Sequence, residues 1–501
     1  MNPELLQAAQ ATARLINTRL CVVIPSMLAT GETFSARFSV TGGDALPTAP
    51  SDLLIHFEGG GGIAGLPSTF KLPAGESTGC IEGLTATGEA VARIRMRVEL
   101  AGRTVACCSN PAWVFQAPPY RLFFGDLHVH TQYSDCSGWR CLSPDWCYTY
   151  ARDLSLLDFA APADHLRGIA AEASRWPALQ HAAREYDDPG RFVSFLAFES
   201  SHAQGYGGDN NVYFNVDDAP HFWLDREDMR GIAPAVHLRE LWAFLDAAGK
   251  PYFTVPHHTG RAAKYRAWNE DCHDPAREPL FEIYSSWGSS ERRHTRLPIS
   301  GGNNEAPAYF TDALKAGARY GVIASSDDHA TLPGAVHHFR VDPLQPPTLN
   351  GFAHKGLAAV RAPALTRAAL FDGLRDRQTY ATTGARSLVD LTVNGAAMGT
   401  AVPAEAALRR QRTIRVRFTL DGSSVANVTL MRNGEPLACQ SFRGASVVSS
   451  VNEATFVDDD AFDAIAVREA RYHADPFAVY YARIEDGNGA HQWTSPVWID
   501  G

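Results

Sequence analysis

The chain has 501 residues and a formal net charge of −10, with 45% hydrophobic and 20% charged residues. This composition is typical of a soluble globular protein, and the length suggests about three domains of ordinary size. The acidic balance and the lack of a dense Lys/Arg block argue against nucleic acid or an anionic membrane as the main partner.

Two further features concern the cellular compartment. The segment Met1–Leu20 lacks the apolar core of a signal peptide, and no later run is long enough to span a bilayer. The nine cysteines are irregularly spaced, as is typical of free thiols in a reducing compartment. We therefore expect a cytoplasmic protein that acts on a small-molecule substrate, in an oligomeric state that the sequence leaves open.

Residues 1–118 are predicted to form an N-terminal all-β domain that resembles a sandwich. A short helical piece, Pro3–Ile16, precedes several strand-like runs separated by Gly, Pro and Ser. Polar and apolar residues alternate in Thr33–Val40 and Ala92–Leu100, as expected for strands with one buried face.

Residues 119–387 have a different pattern, in which apolar strand-like runs alternate with helical stretches rich in Ala, Leu and Arg. The clearest runs are Arg121–His130, Leu157–Asp164, Phe192–Glu199, Pro251–His257, Leu280–Ser285 and Tyr320–Ser326. Continuous apolar strands alternating with helices predict parallel α/β architecture, in which chemistry lies at the carboxyl ends of the strands.

Residues 388–501 return to the all-β pattern and are predicted to form a second sandwich-like domain. The pairs Asn433-Gly434 and Asp486-Gly487 are strong signals for hairpin turns.

The most informative stretch is Leu122–Thr131, an apolar run that leads into Gly125-Asp126 and then His128 and His130. Residues i and i+2 of a strand point to the same face, so both imidazoles leave the strand on one side. Asp135 follows after a short loop. Two imidazoles beside a carboxylate are typical divalent-metal ligands, although the pair could also simply alternate on a half-buried strand.

The same pattern recurs at each later strand of the middle region, where a histidine or a carboxylate follows the strand. These residues are His165, Glu199, His257, His258, Glu282, Asp327 and His329. If the strands form one barrel, the side chains converge on one rim. One zinc ion takes about four ligands, so this inventory fits two or three divalent ions with a bridging carboxylate.

In this order, the motifs resemble the polymerase and histidinol phosphatase (PHP) superfamily over residues 120–390. The stretches Gly125–Thr131, Val255–Gly260, Phe281–Glu291 and Arg377–Gly384 resemble one branch of it more closely. That branch is labelled as a domain of unknown function and lies near carbaryl-hydrolase-type members. The resemblance implies a distorted (β/α)7 barrel, here flanked by the two sandwich-like domains, that holds Zn, Mn or Fe.

The resemblance also implies a ligand set, carried over residue by residue. A first metal would be held by His128, His130, Glu199 and Asp327. Glu199 would bridge to a second metal, held by Glu282 and by His257, with His258 as the alternative histidine. A third would be held by Asp135, His165 and His329.

This sequence departs from the family's pattern at two positions. Related sequences often have a histidine at the position of Asp209. Many have a His or Cys at the position of Glu282, where a carboxylate would favour Mn or Fe over Zn. Asp126, Asp164 and Asp328 could orient the histidine ligands, or they could cap strand ends.

The expected activity is metal-dependent hydrolysis, with Asp327 or His329 handling the proton of the attacking water. Arg167 and Arg261 closely follow ligands and would suit a phosphoester substrate. Trp139, Trp268 and Trp287 could instead build an aromatic pocket, which would suit a carboxylic ester, carbamate or amide. A third hypothesis is a non-catalytic metal-holding module that binds a partner.

Overall fold

The computed structural model describes residues 17–42, 46–49, 51–59, 61–88, 91–100, 102–136, 141–168, 171–200, 209–223, 234–261, 273–302, 307–334 and 355–501. The predicted helix Pro3–Ile16 lies outside these ranges, as do Trp139 and Trp268. None of the helices within them has the length and apolar character needed to cross a membrane.

The N-terminal part contains short strands that form two four-stranded sheets and one small sheet. The strands are β1 Arg19–Val23, β2 Met27–Ala29, β3 Thr33–Thr41, β4 Leu53–Gly59, β5 Ile63–Ala64, β6 Thr69–Leu72, β7 Thr78–Ala86, β8 Val91–Ala92, β9 Ile94–Leu100, β10 Arg103–Cys108 and β11 Ala112–Phe115. The sheet orders are β1-β3-β7-β5, β10-β9-β4-β6 and β2-β11-β8. Alternate residues of β3 and β9 are buried, and the two four-stranded sheets share one core.

The middle part contributes strands to three different sheets. Its strands are β12 Arg121–Val129, β13 Phe159–Pro162, β14 Val193–Ser194, β15 Leu196–Ser200, β16 Asn210–Phe214, β17 Tyr252–Pro256, β18 Leu280–Ser285, β19 Gly288–Ser289, β20 Gly321–Ala324, β21 Leu357–Ala362 and β22 Thr379–Thr382. β12, β13 and β14 are parallel, whereas β15-β16-β17 is antiparallel and β18 pairs in parallel with β20. Residues of β12, β17, β18 and β20 nevertheless share a core.

The C-terminal strands divide between two sheets. They are β23 Leu388–Val393, β24 Ala396–Ala397, β25 Ala401–Pro403, β26 Arg412–Thr419, β27 Val425–Arg432, β28 Glu435–Arg443, β29 Asn452–Asp458, β30 Phe477–Asp486, β31 His491–Thr494 and β32 Val497–Asp500. One sheet has the order β24-β23-β26-β29, and the other continues the middle part through the β22–β31 pair. The Asn433-Gly434 turn joins β27 to β28, with positive φ at both residues, as this hairpin type requires.

The described helices are few and short. They are Pro144–Thr149, Trp176–Glu185, Pro234–Ala248, Phe310–Lys315, Arg367–Arg375, Ala406–Arg410, Ser446–Ser449 and Phe462–Ile465, with π-helical turns at Tyr150–Leu154 and Ala171–Arg175. Strands account for 44% of the structure and helices for 15%.

The predicted distorted (β/α)7 barrel with two separate flanking sandwiches is therefore wrong. The described sheets include the antiparallel meander β15-β16-β17 and the antiparallel pair β21–β22, where a barrel of βα units needs parallel strands. An 11-stranded sheet also joins the middle part to C-terminal strands. The apolar runs mark strands buried on both faces, but such runs do not encode the direction of the neighbouring strand.

Candidate metal centre

The paired histidines reach the centre because the chain after β12 runs beside the Asp327–Asp328 segment. The amide of His130 donates to the carbonyl of Asp328 at 2.9 Å, and the amide of Asp327 donates to the carbonyl of His128 at 2.7 Å. Asp327 has a φ of 50°, a conformation uncommon for a residue other than glycine. Backbone hydrogen bonds thus fix one carboxylate next to two imidazoles across about two hundred residues of sequence.

A second backbone contact brings the next two predicted residues together. His165 and Glu199 form an isolated parallel bridge, and the amide of Glu199 donates to the carbonyl of Asp164 at 3.0 Å. His257 directly follows β17, and Glu282 lies within β18. Together with the His128–His130 and Asp327 segments, these side chains come from six separate stretches of sequence.

Four imidazoles direct their Nε2 atoms at the carboxylates of Glu199 and Asp327. The Nε2 of His130 lies 2.9 Å from Asp327 Oδ1, and that of His257 lies 3.0 Å from Asp327 Oδ2. The Nε2 of His165 lies 3.0 Å from Glu199 Oε2, and that of His128 lies 3.3 Å from the same oxygen. Each imidazole thus presents the same nitrogen to one shared centre.

The opposite ring nitrogens are held by groups outside that centre. The Oε1 atom of Glu282 lies 2.9 Å from the Nδ1 of His257, and its Oε2 atom lies 3.3 Å from the Nδ1 of His128. The Nδ1 of His130 lies 3.1 Å from Ser134 Oγ. The Nδ1 of His329 lies 3.0 Å from the carbonyl oxygen of Asp327, which can only accept, so this nitrogen carries the proton. An anchored Nδ1 and an inward Nε2 are the usual arrangement of metal-binding histidines.

The electrostatics of the cluster demand positive charge at its centre. Burial lowers the pKa of His128, but the carboxylates of Asp327, Glu199 and Glu282 outweigh burial and hold this pKa well above its usual value. Burial likewise opposes a charged His257, yet Glu282 and Asp327 raise its pKa to about 9. In return, the pKa of Asp327 is held well below its usual value by His128, His257 and His329, which outweigh burial. Three nearly inaccessible carboxylates therefore need cations, and protons on imidazole are one source of them.

Divalent ions would be a second source, and the donor chemistry fits them. Several sets of three donor atoms lie within 4.8 Å of one another, and each set combines imidazole nitrogens with a carboxylate or a thiol. The sets include His128, His257 and Asp327; His128, His130 and Glu199; His130, Asp327 and His329; Glu199, His257 and His258; and His130, Cys136 and His165. Mixed nitrogen and oxygen donors of this kind suit Zn, Mn or Fe.

Three of the predicted ligands have neighbours other than those expected. Asp135 pairs with Arg175 at 2.9 Å, so its carboxylate is directed to an arginine. Glu282 lies behind the imidazoles of His128 and His257 and holds their Nδ1 atoms. The sequence could not distinguish His257 from His258, and in the structure His257 faces Asp327 while His258 Nε2 lies 3.3 Å from Asp209.

Asp126, Asp164 and Asp328 accept hydrogen bonds mainly from backbone amides of nearby loops. Asp126 accepts from the amides of Ser326 and Gly334, and Asp164 accepts from the amide and hydroxyl of Thr131. Asp328 accepts from the amides of Ala330 and Leu332, and from the Nζ of Lys355 at 2.6 Å. These bonds fix the loops that carry the ligands, which is closer to strand-end capping than to orientation of imidazoles.

The predicted cationic and aromatic residues lie on two sides of the cluster. Arg167 is close enough to His165 to depress the pKa of that imidazole, although burial is the larger cause. The guanidinium carbon of Arg261 lies 4.2 Å from the ring centre of Trp287, and the indole nitrogen of Trp287 donates to Asp327 Oδ2. The indole of Trp287 therefore contacts both the guanidinium of Arg261 and the carboxylate of Asp327.

Sequence reasoning missed three residues that the structure places at the site. Asn211 Nδ2 lies 2.9 Å from His128 Nδ1, and Ser134 Oγ accepts from the amide of His165 at 3.0 Å. The Sγ of Cys136 lies 3.1 Å from the same hydroxyl, and burial raises the pKa of this thiol. The nearness of Ser134 and Cys136 to Asp135 was the signal available, whereas Asn211 had none.

Comparison with known sequences connects the chain to proteins without a described activity. The sequence model of a family described as "Protein of unknown function (DUF3604)" matches residues 318–396, which include Asp327 and His329. An uncharacterized protein of Chlamydia muridarum is 32% identical over 404 residues, which cover 78% of this chain and 59% of the relative. One of Chlamydia trachomatis is 26% identical with the same coverage. The chain thus spans about three fifths of the length of these relatives.

Comparison with solved structures gives only remote likenesses. A Paenibacillus cycloisomaltooligosaccharide glucanotransferase is 9% identical, with 95% of this chain and 71% of that chain covered and a TM-score of 0.23. A Bacteroides uniformis β-glucuronidase is 10% identical, with 96% and 60% covered and a TM-score of 0.20. At these TM-scores the likeness supports no conclusion about fold or function.

Proposed function

We propose that the chain is a metal-dependent hydrolase, most readily of phosphoesters, that uses two or three divalent ions at the His/carboxylate cluster. The observation that supports this most strongly is the convergence of four imidazole Nε2 atoms on Glu199 and Asp327. The resemblance to the PHP superfamily, in its ligand residues, points the same way.

Each residue has a distinct part in this proposal. His128, His130, His165, His257, Glu199 and Asp327 would hold the ions, and His329 would stay unbound as the proton acceptor. Glu282 would keep His257 in the tautomer that leaves Nε2 available. Bound divalent ions would make water nucleophilic near neutral pH and would offset negative charge on the attacked and leaving oxygens.

The proton of the attacking water needs an acceptor near the centre. His329 suits this role because its Nδ1 donates to the carbonyl oxygen of Asp327, which leaves the lone pair of its neutral form on Nε2. His165 is the most accessible of the central imidazoles, with 15% of its side chain exposed, so substrate would approach from its side. Arg167 lies on that side, and Arg261 stands behind Trp287.

The presence of Arg261 favours an anionic substrate over a neutral one. The residue is 9% exposed, and its guanidinium is stacked on Trp287 and places a positive charge near Asp327. A phosphoester would gain from that charge, whereas a neutral carbamate or ester would not. Hydrolysis of carboxylic esters, carbamates or amides is therefore the second candidate, supported by the indole face of Trp287.

The first test is elemental analysis of the purified full chain, followed by assays of one metal-loaded preparation against an aryl phosphate, a phosphodiester and an aryl carbamate. We expect two or three metal ions per chain and turnover of a phosphate substrate. Turnover of the carbamate alone would support the second candidate.

The matched variants are His130→Ala, which removes a central imidazole, and His181→Ala, which removes an exposed histidine on the helix Trp176–Glu185. We expect the first to lose metal and activity and the second to keep both. A protein without metal, and without activity after addition of Mn or Zn, would overturn the proposal. Activity without metal would do the same, and stoichiometric metal without turnover of any substrate would favour the binding module.

A further inference from the structure

A second charged region lies away from the metal centre, in a cavity of about 720 Å³ between the N-terminal sheet and the middle part. Strands β3 and β7 form one wall. The other wall consists of the start of β12, the segment from Arg152 to Asp158, and Arg386. We refer to this cavity as the Arg37 cleft. Its volume is in the range of small-molecule sites, which is about 300–1,000 Å³.

Two guanidinium groups meet at one carbonyl in the Arg37 cleft. The Nη2 of Arg37 donates to the carbonyl of Leu156 at 3.4 Å, and the Nη2 of Arg386 donates to the same oxygen at 3.1 Å. Arg386 also donates to the carbonyl of Ser155 at 2.7 Å. Two positive charges are therefore held close together, an arrangement that is unfavourable unless negative charge is nearby.

Two of the acidic side chains that line the cleft pair with other arginines, and Asp158 is the carboxylate that attracts both Arg37 and Arg386. Asp153 forms ion pairs with Arg152 at 2.7 Å and with Arg191 at 3.3 Å, and Glu32 forms one with Arg121 at 2.8 Å.

Asp158 forms an ion pair with Arg37, but the distance from Arg37 Nη2 to Asp158 Oδ1 is long, at 3.4 Å. The other oxygen of Asp158 accepts from the amide of Phe124 at 2.8 Å. Within the described part of the chain, Arg386 forms no ion pair and the Nη1 of Arg37 has no hydrogen-bond partner. A buried donor without a partner is costly, so this end of the cleft is short of acceptors.

Another part of the lining is apolar. Pro25, Phe123 and Leu365 line it, and none of the three is fully buried. A ligand with an anionic end and an apolar body would match both halves of the lining. Arginine pairs bind phosphate and carboxylate groups through two parallel hydrogen bonds, which a single lysine does not reproduce.

We propose that the Arg37 cleft binds a small organic oxyanion, with its phosphate or carboxylate group at Arg37 and Arg386 and its apolar body against Phe123 and Leu365. This site is independent of the metal centre. Binding should therefore persist in protein from which metal has been removed.

The experiment is calorimetric titration of the chelator-treated full chain with phenyl phosphate, benzoate, inorganic phosphate and neutral benzamide. We expect saturable binding of phenyl phosphate or benzoate, weaker binding of inorganic phosphate, and none of benzamide. Whichever of the first two binds more tightly identifies the anionic group. Loss of a charge-assisted contact in Arg37→Gln should weaken binding by about tenfold or more. Arg37→Lys should recover part of the loss, and Arg95→Gln, an exposed arginine on β9, should bind as the wild type does.

A second measurement covers the case in which Arg37→Gln does not fold. Cys80 is exposed, lines the cleft and lies opposite Arg37 in the β3–β7 register. A bound oxyanion should slow alkylation of Cys80 by iodoacetamide, and Cys80→Trp should reduce affinity by filling the cleft. The proposal is overturned if none of the anions binds saturably, or if Cys80 reacts equally fast with and without ligand. Binding that is lost in His130→Ala but kept in Arg37→Gln would also overturn it.

Discussion

Two buried clusters of charge in this chain are built from different cations. At the candidate metal centre, the carboxylates of Glu199, Glu282 and Asp327 face imidazoles. In the C-terminal part, the carboxylate of Asp458 faces Arg412 at 3.0 Å and Arg432 at 2.9 Å. Arginine stays charged at any pH the folded protein meets, whereas an imidazole can lose its proton and offer a lone pair.

This difference separates a structural cluster from one that can accept a ligand. Asp458 also accepts from the hydroxyl of Tyr480 at 2.6 Å, so its oxygens are satisfied by groups that stay in place. The carboxylates of the metal centre are satisfied only while the imidazoles carry protons, and divalent ions could replace those protons. The comparison leads to three predictions that treat the two environments differently, and a fourth concerns a buried histidine outside both.

The largest expected effect is on stability at the arginine cluster. Asp458→Asn leaves Arg412, which is fully buried, without its full counter-charge. Breaking a buried ion pair on one side costs about 3–5 kcal/mol, which urea unfolding would measure. The metal content should be unchanged. A loss of less than about 1 kcal/mol would show that the cluster tolerates an unbalanced arginine, and the contrast with the metal centre would fail.

The second effect is on metal binding. Asp327→Asn removes the carboxylate that both His130 and His257 face. It should lower metal affinity by more than about 100-fold, because residues that only hydrogen-bond to a metal ligand already contribute about 10–100-fold. In metal-free protein the same change should alter the free energy of unfolding by only about 1 kcal/mol, because the imidazoles can become neutral. A large destabilisation of the metal-free variant would make Asp327 a structural residue like Asp458.

The third effect is smaller and concerns Glu282. Glu282→Gln should lower metal affinity by about 10–100-fold, because Gln keeps one acceptor for two imidazole Nδ1 atoms. The matched control is Glu291→Gln, since Glu291 is equally buried but pairs with Arg483 at 3.0 Å. The control should lose stability and keep its metal affinity, as measured by competition with a chromophoric chelator. Equal metal affinities in the two variants would refute the assigned role of Glu282.

The grouping of several candidate ligands could be predicted because these residues lie at or near the ends of apolar strands. His128 and His130 share a face by strand geometry alone, and both approach Asp327 in the structure. The choice between His257 and His258 could not be made, because it depends on where β17 ends and on a φ of 35° at His258. Asp135 was assigned to a metal, but Arg175 reaches it from forty residues away, a contact that local sequence does not encode.

The predicted fold was wrong because local sequence does not encode the order of strands in a sheet. Strand positions depend on local hydrophobic patterns, whereas sheet order depends on contacts between distant segments. The pair between β22 and β31 extends the middle sheet into the C-terminal part, with Ala381 opposite Trp493. Both strands are buried throughout, so their sequences fit either an independent sandwich or a shared sheet.

The smallest effect comes from a histidine that lies outside both clusters. His221 packs against Trp176 and Phe198, with ring centres 5.4 and 4.9 Å away, and burial lowers its pKa to about 4. Because the unfolded chain binds this proton near pH 6.5 and the native state does not, stability should fall by about 1 kcal/mol between pH 7 and pH 5.5 on account of His221 alone. His221→Phe should remove that part of the slope, measured as the difference between wild-type and variant urea midpoints at the two pH values. Metal content should be the same in both proteins. An unchanged slope would mean that His221 is already protonated in the native state, and that burial among aromatic rings is not enough to keep an imidazole neutral here.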